Sequence, residues 1–235
     1  PALDGSGDVN SGLRIARELL LDVIGLGLPV GCEFLDPIMP QYIADTVAWG
    51  SIGARTVESQ VHRQLASGLS MPIGMKNRAD GSIATAVDAI RAAGVPHVFP
   101  GIDVSGAPAI LHTRGNVDAH LVLRGGNDGP NYDAASVAGA LALLRAAGLP
   151  QRLVIDASHG NSGKDHRRQP QVVRDIGAQL AAGERGIAGV MLESFLTEGR
   201  QELDPTRPLA YGQSVTDACM GGAQTAESMR ELAAA

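Results

Sequence analysis

Six short apolar runs, at residues 28–35, 51–55, 72–76, 120–124, 153–156 and 189–193, recur along this chain with helix-like stretches between them. Each run has strand length and is apolar at successive positions, so the strand it predicts is buried on both faces, as in a parallel sheet covered by helices. The stretches 12–24, 40–49, 58–67, 83–93, 134–147 and 170–182 follow a period near 3.6; Leu13, Ile15, Leu19, Leu20 and Val23 show it in the first. A last helix is predicted over 217–232. Gly148 stands where a helix C-terminal glycine belongs, and Asp80 or Ser82 where a cap does. Residues 97–116 break the alternation. Two apolar runs separated by Gly and Pro predict a β-hairpin appended to the sheet. With no linker or shift of composition, residues 1–235 read as one domain.

Aromatic residues make up only 3% of the chain. A core without rings must be filled by Leu, Val, Ile and Ala, which suits layered α/β packing better than a β-sandwich. The net charge of −6 argues against a nucleic-acid binder or a polybasic membrane binder. No segment approaches the roughly 20 apolar residues of a membrane span. Asp4 and Asp8 stand where a secretory leader would carry positive charge, and Cys32 and Cys219 are too few for a disulfide framework. A cytoplasmic location, with no nucleic-acid or membrane partner, is expected.

The runs end in chemistry: Glu33, Arg55, Lys76, Arg124, His159 and Glu193 close or follow them, and Asp217 follows residues 211–216. Active sites of β/α barrels are built from the C-terminal ends of different strands, whereas open doubly wound sheets bind at one crevice. Residues spread over nearly all strand ends predict a TIM (β/α)8-type barrel with an inserted hairpin. The chain opens with a loop and a helix and offers six core strands, so the first one or two βα units of such a barrel are expected to be absent.

Arg55, Lys76 and Arg124 suit a small ligand carrying phosphate and carboxylate, or else they pair with acids at the barrel mouth. His159, Glu193 and Asp217 suit a divalent ion of borderline hardness, Mn, Fe, Co or Zn. The plainer alternative makes His159 a core histidine bonded to Asp156 or Asn161, with both acids solvated. Cys32 and Cys219, the latter at the start of the last helix, read as small buried hydrophobes. The sequence GNSGK at 160–164 lacks the spacing of a nucleotide phosphate loop, though Lys164 remains able to meet an anion. His62 is expected at the surface or an oligomer contact, and Trp49 as a packing anchor.

The runs GCEFLD (31–36), GSIGARTVESQVHR (50–63), LASGLS (65–70), LRGG (123–126), IDASHGN (155–161), GVMLES (189–194) and LAYGQSVTDAC (209–219) together resemble the type I 3-deoxy-D-arabino-heptulosonate 7-phosphate (DAHP) synthases. The resemblance implies a TIM-barrel transferase that condenses phosphoenolpyruvate with erythrose 4-phosphate at the entrance to the shikimate pathway, and a homo-oligomer. It implies that Arg55, Lys76, Arg124 and the backbone of Ala54 grip phosphoenolpyruvate, that Glu33 positions water, and that His159, Glu193 and Asp217 hold the metal. Lys76, Glu33 and His159 are the implied catalytic residues. The family's Gly-Pro-Cys-Ser and Lys-Pro-Arg-Thr motifs, which carry a fourth ligand and the aldehyde-phosphate site, are not in this sequence. IDVSGAP at 102–108 replaces the usual Val-Thr-Lys-x-Gly-His-Ser in the region where relatives bind feedback inhibitors. Two alternatives therefore stand beside the first expectation: a homologue using a different aldehyde, and a non-catalytic barrel remnant serving as a partner subunit.

Overall fold

Parallel strands connected through helices form both compact units of the chain, Pro1–Lys76 with Asp88–His120 and Asn77–Val87 with Leu121–Ala235. The computed structural model describes residues 5–204 and 206–235; Asp4 lies outside the described residues.

In the first unit, α1 (Val9–Gly25) begins at Asp8, whose carboxylate accepts from the Ser11 amide at 3.1 Å and the Ser11 hydroxyl at 2.6 Å. It stops before Gly27, which adopts φ +80°. The 3.6 period locates this helix, yet none of its residues is buried, and Ile15 and Leu19 are 59% and 61% exposed. Strands β1 (Gly31–Glu33), β2 (Trp49–Ile52) and β3 (Ile73–Lys76) run parallel, with Cys32 opposite Gly50 and Gly50 opposite Ile73. Phe34, Ile52, Ile73 and Met75 are sealed in the core. The connecting helices are α2 (Pro40–Ile43), with a 3-10 turn over 44–46, and α3 (Gln60–Gly68).

Three expectations change here. The helix predicted over 40–49 is cut short, because the chain turns at Val47 and enters β2 at Trp49. The Trp49 indole then donates to His120 Nε2 at 3.1 Å, which makes it the expected anchor, but from a strand. β2 also ends at Ile52, leaving Arg55 in the turn beyond it. His62 is buried rather than superficial: Nδ1 lies 2.8 Å from Ser59 Oγ and Nε2 3.0 Å from the Leu35 carbonyl. Both ring nitrogens are thereby satisfied, which is what allows an imidazole to sit inside.

Helix α4 (Ala84–Ala93) has residues in each unit. The predicted hairpin is present as β4 (Val98–Ile102) antiparallel to β5 (Pro108–His112), with Pro100 opposite Ile110. Asp103 closes its turn by accepting from Ser105 and Ala107, and the Ser105 hydroxyl and these amides hold its carboxyl below the usual range.

In the second unit, β6 (His120–Leu123, its first residue counted with the first unit), β7 (Leu153–Asp156) and β8 (Ile187–Met191) run parallel, with Leu121 opposite Leu153 and Leu153 opposite Ile187. Helix α5 (Ala134–Ala146) is capped by Asp133, which accepts from Ala135 and Ser136 amides at 3.0 Å, and it ends ahead of Gly148 at φ +70°. The short α6 (His159–Ser162) leads to α7 (Gln169–Ala181), and β9 (Thr197–Arg200) pairs with β10 (Gln213–Ser214). The last helix, α8 (Gly222–Ala233), starts later than predicted. Asp217 therefore lies in the loop before it, and Cys219 forms an antiparallel bridge with Gly199 instead of opening a helix. No helix among the described residues is long and apolar enough to cross a membrane.

Candidate functional site

In the first unit, Glu33 is the last residue of β1 and Lys76 the last of β3. The Lys76 ammonium, 6% exposed as a residue, donates to Glu33 Oε2 at 3.0 Å. An ammonium this far from water is stable only when matched by opposite charge. The turn after β2 is shaped around the same carboxylate, since a Cβ on Gly53 would lie 2.3 Å from Glu33 Oε1. Ala54 and Arg55 follow directly. Arg55 is exposed, and no hydrogen bond or ion pair engages its guanidinium among the described residues.

In the second unit, the ligand atoms of His159, Glu193 and Asp217 all lie within 4.8 Å of one another. These residues follow β7, β8 and β10. His159 Nδ1 is 2.9 Å from Oδ2 of Asp156, a fully buried carboxylate that also accepts from the Ser158 amide at 2.9 Å. A carboxylate only accepts, so Nδ1 carries the proton and Nε2 presents its lone pair. Nε2 in turn faces Glu193 Oε1 at 3.4 Å. Two acceptors held face to face are reconciled by a proton between them or by a metal cation. Nitrogen plus two carboxylates, with the imidazole oriented by an outer carboxylate, is the donor set of a borderline divalent ion. The two sequence readings of His159 are thus compatible, because its bond to Asp156 is what aims it at the acids.

Glu193 is fixed from two sides. Ser158 Oγ donates to its Oε2 at 2.6 Å. The buried Gln169 side chain grips its backbone, accepting from the Glu193 amide at 2.8 Å and donating to its carbonyl at 3.1 Å. His159 and Lys164 adopt φ +49° and +60°, a left-handed backbone that costs a side-chain-bearing residue of order 1–3 kcal/mol and collects at functional sites. Partial burial raises the thiol pKa of Cys32 and of Cys219.

Arg124 follows β6 and lines a cleft of about 620 Å³ together with His159. Its carbonyl accepts from the Gly160 amide at 2.9 Å. This approach is possible only because both neighbouring residues lack side chains: a Cβ on Gly125, at φ +72°, would lie 2.4 Å from the Gly160 carbonyl carbon, and a Cβ on Gly160 would lie 2.7 Å from that of Gly125.

An amide network that sequence reasoning missed holds the same turn. Asn77 Oδ1 accepts from the Arg124 amide at 2.8 Å and from Asn131 at 3.2 Å, while its Nδ2 donates to the carbonyls of Arg78 and Gly125 at 2.9 and 3.0 Å. Asn131 accepts from the Gly125 amide, and Asn161 Nδ2 donates to the carbonyls of Leu123 and Asp156. The only signal in the chain is an asparagine directly after the strand-ending lysine. Asn77→Ala is expected to cost about 3 kcal/mol, because buried backbone groups lose their partners. A denaturation midpoint within experimental error of the parent protein would contradict this role.

The sequence pattern that defines the DAHP synthetase I family matches residues 1–230. The chain is 56% identical, over its whole length and 65% of the relative's, to a phospho-2-dehydro-3-deoxyheptonate aldolase of Corynebacterium glutamicum. It is 54% identical, over 99% of this chain and 66% of the relative, to a Phe-sensitive phospho-2-dehydro-3-deoxyheptonate aldolase of Escherichia coli. A solved phospho-2-dehydro-3-deoxyheptonate aldolase from Francisella tularensis superposes with a TM-score of 0.96 at 49% identity, over 99% of this chain and 67% of that one. The chain thus spans about two thirds of the length of these relatives.

Proposed function

Because the chain belongs to the DAHP synthetase I family, we propose that it contributes the site for metal-dependent condensation of phosphoenolpyruvate with erythrose 4-phosphate, giving DAHP and inorganic phosphate. The observation that carries this reading is the gathering of His159, Glu193 and Asp217 within 4.8 Å, with the His159 ring set by Asp156. A partial TIM-type β/α barrel over residues 1–235, as one domain, is the architecture that goes with it, supported by the parallel strands and the likeness to a solved relative. The shikimate-pathway role and the choice of erythrose 4-phosphate over another aldehyde rest on family membership.

His159, Glu193 and Asp217 would hold a divalent ion of the Mn, Fe, Co or Zn kind, which when bound supplies Lewis-acid polarisation of an aldehyde oxygen. Arg55, Lys76, Arg124 and the Ala54 amide are assigned to phosphoenolpyruvate, neutralising its phosphate and carboxylate. Lys76 also fixes Glu33 through their 3.0 Å bond, and Glu33 so held orients water toward C2 of the enolpyruvate. In the reaction, C3 forms a bond to the aldehyde carbon, water adds at C2, and the C2–O bond breaks to release phosphate with its bridging oxygen. Holding the reactants in register accounts for up to about 7–11 kcal/mol of the acceleration.

Arg124→Ala tests this assignment. Loss of charge-assisted hydrogen bonds to an anion predicts about 10–100-fold weaker phosphoenolpyruvate binding. The check is a binding titration paired with measured phosphate release; unchanged affinity and rate would remove Arg124 from the site.

A further inference from the structure

The cleft that Arg124 shares with His159 is also bordered by Lys164 and Arg168, and none of its lining residues is acidic. In a chain with 25 acidic and 19 basic residues, three cations around one cleft without a carboxylate is a marked imbalance. Lys164 and Arg168 are exposed, and neither side chain has a hydrogen bond or ion pair among the described residues. The nearest acid in sequence is already committed. Asp165 receives two bonds of 2.9 Å from the Arg167 guanidinium, which pull its carboxyl pKa down to about 2. The loop therefore compensates Arg167 and leaves its two neighbouring cations open.

Their placement is fixed by the backbone. The Lys164 amide donates to the His159 carbonyl at 2.7 Å, and Gly163 and Lys164 both adopt left-handed φ, which curls the loop back on itself. Arg168 Nη1 lies 3.4 Å from the point a Cβ on Gly163 would occupy, so the guanidinium lies over the same loop. A fork and a compact ammonium on one cleft whose lining holds no carboxylate match the oxygens of a phosphate dianion, while Lys164 also borders a second cavity lined by Asp165 and Glu198.

We propose that Lys164 and Arg168 form an accessory anion subsite for a phosphate dianion, separate from the contact assigned to Arg124. The occupant is either released orthophosphate or the phosphate group of a sugar phosphate, since both present the same oxygens. The proposal goes beyond the condensation reading and does not depend on turnover.

Isothermal titration of the full chain with orthophosphate and, in a second series, with erythrose 4-phosphate tests it, each repeated on K164Q/R168Q and on R174Q. Arg174 lies on α7, pairs with Glu231 at 3.7 Å, and does not line the cleft. Loss of two charge-assisted partners predicts at least about tenfold weaker binding in K164Q/R168Q, with R174Q unchanged. Weakening for both ligands assigns the subsite to the phosphate group alone; weakening only for the sugar phosphate names that ligand as the occupant. Phosphoenolpyruvate affinity is expected to persist in K164Q/R168Q, so failure of the Arg124 assignment shows separately. Equal affinity of K164Q/R168Q and parent for both anions, with an unchanged circular dichroism spectrum, would overturn the proposal.

Discussion

His159→Asn is expected to abolish the divalent-metal binding proposed for this chain and, with it, any phosphate release from phosphoenolpyruvate. Asparagine is the informative replacement because it tolerates the left-handed backbone at φ +49° that position 159 requires, whereas alanine would add strain to the loss of the ring. The variant is expected to keep the loop, to place an amide where Nδ1 meets Asp156, and to lose the nitrogen facing Glu193. Affinity for Mn(II) or Zn(II) should fall by more than the ~10–100-fold that loss of an outer partner costs a metal site. Asp156→Asn supplies that smaller comparison, since it disturbs the tautomer and aim of the imidazole while leaving all three candidate ligands in place. Metal titration by calorimetry orders the proteins as parent, Asp156→Asn, then His159→Asn. Metal affinity in His159→Asn equal to the parent's would refute the triad.

The second large effect concerns packing. Gly125→Ala is expected to destabilise the protein by at least ~3 kcal/mol, within the range reserved for a named structural mechanism. A methyl there would fall 2.4 Å from one backbone atom of Gly160 and 2.5 Å from the Asn161 nitrogen, and backbone cannot rotate aside as a side chain can. Gly183→Ala separates the two causes. Gly183 also has a positive φ, +98°, but nothing lies within 4 Å of its added Cβ, so it reports the dihedral penalty alone, ~1–2 kcal/mol. Urea denaturation of both variants gives the difference, and equal losses would show that the Gly125–Gly160 approach is not what demands glycine. Because the Arg124 carbonyl receives the Gly160 amide, any surviving Gly125→Ala protein should also bind phosphoenolpyruvate more weakly.

How far the sequence speaks depends on the range of the interaction. Residues 153–156 read as a strand and are β7, because an unbroken apolar run between polar residues is a local signal. The run 51–55 slipped because Gly50 carries little strand signature while the apolar SIGA continues into the turn. The helix read over 40–49 was overextended for a similar reason: Val47 and Trp49 fit a helical stripe as well as the approach to a strand. Thr216 and Asp217 look like a helix start and are instead a loop that ends in a ligand-type carboxylate.

Among the candidate residues, Glu33 and Lys76 of the first unit and Arg124, His159 and Glu193 of the second stand out as charged or ligand-type residues that close or follow apolar runs. What stays hidden are the groups that aim them. Asn77 acts on Gly125, 48 positions away, and Gln169 on Glu193, 24 positions away. The burial of His62 depends on a carbonyl 27 residues earlier. Amide side chains and satisfied histidines have no local pattern, since their partners are set by the tertiary path of the chain.

That Gln169 holds the Glu193 backbone determines which substitutions the site is expected to tolerate. The amide group presents one donor and one acceptor to the main chain, as a neighbouring strand would, so that pair of contacts does not depend on which apolar residues fill β8. Exchanges among Val, Ile, Leu and Met in the strand are expected to leave the carboxylate in place. Mutation of residue 169 to glutamate, by contrast, exchanges the donor for a second acceptor and turns one of the two contacts repulsive. Position 169, more than any apolar position of the strand, is therefore where a substitution is expected to move Glu193.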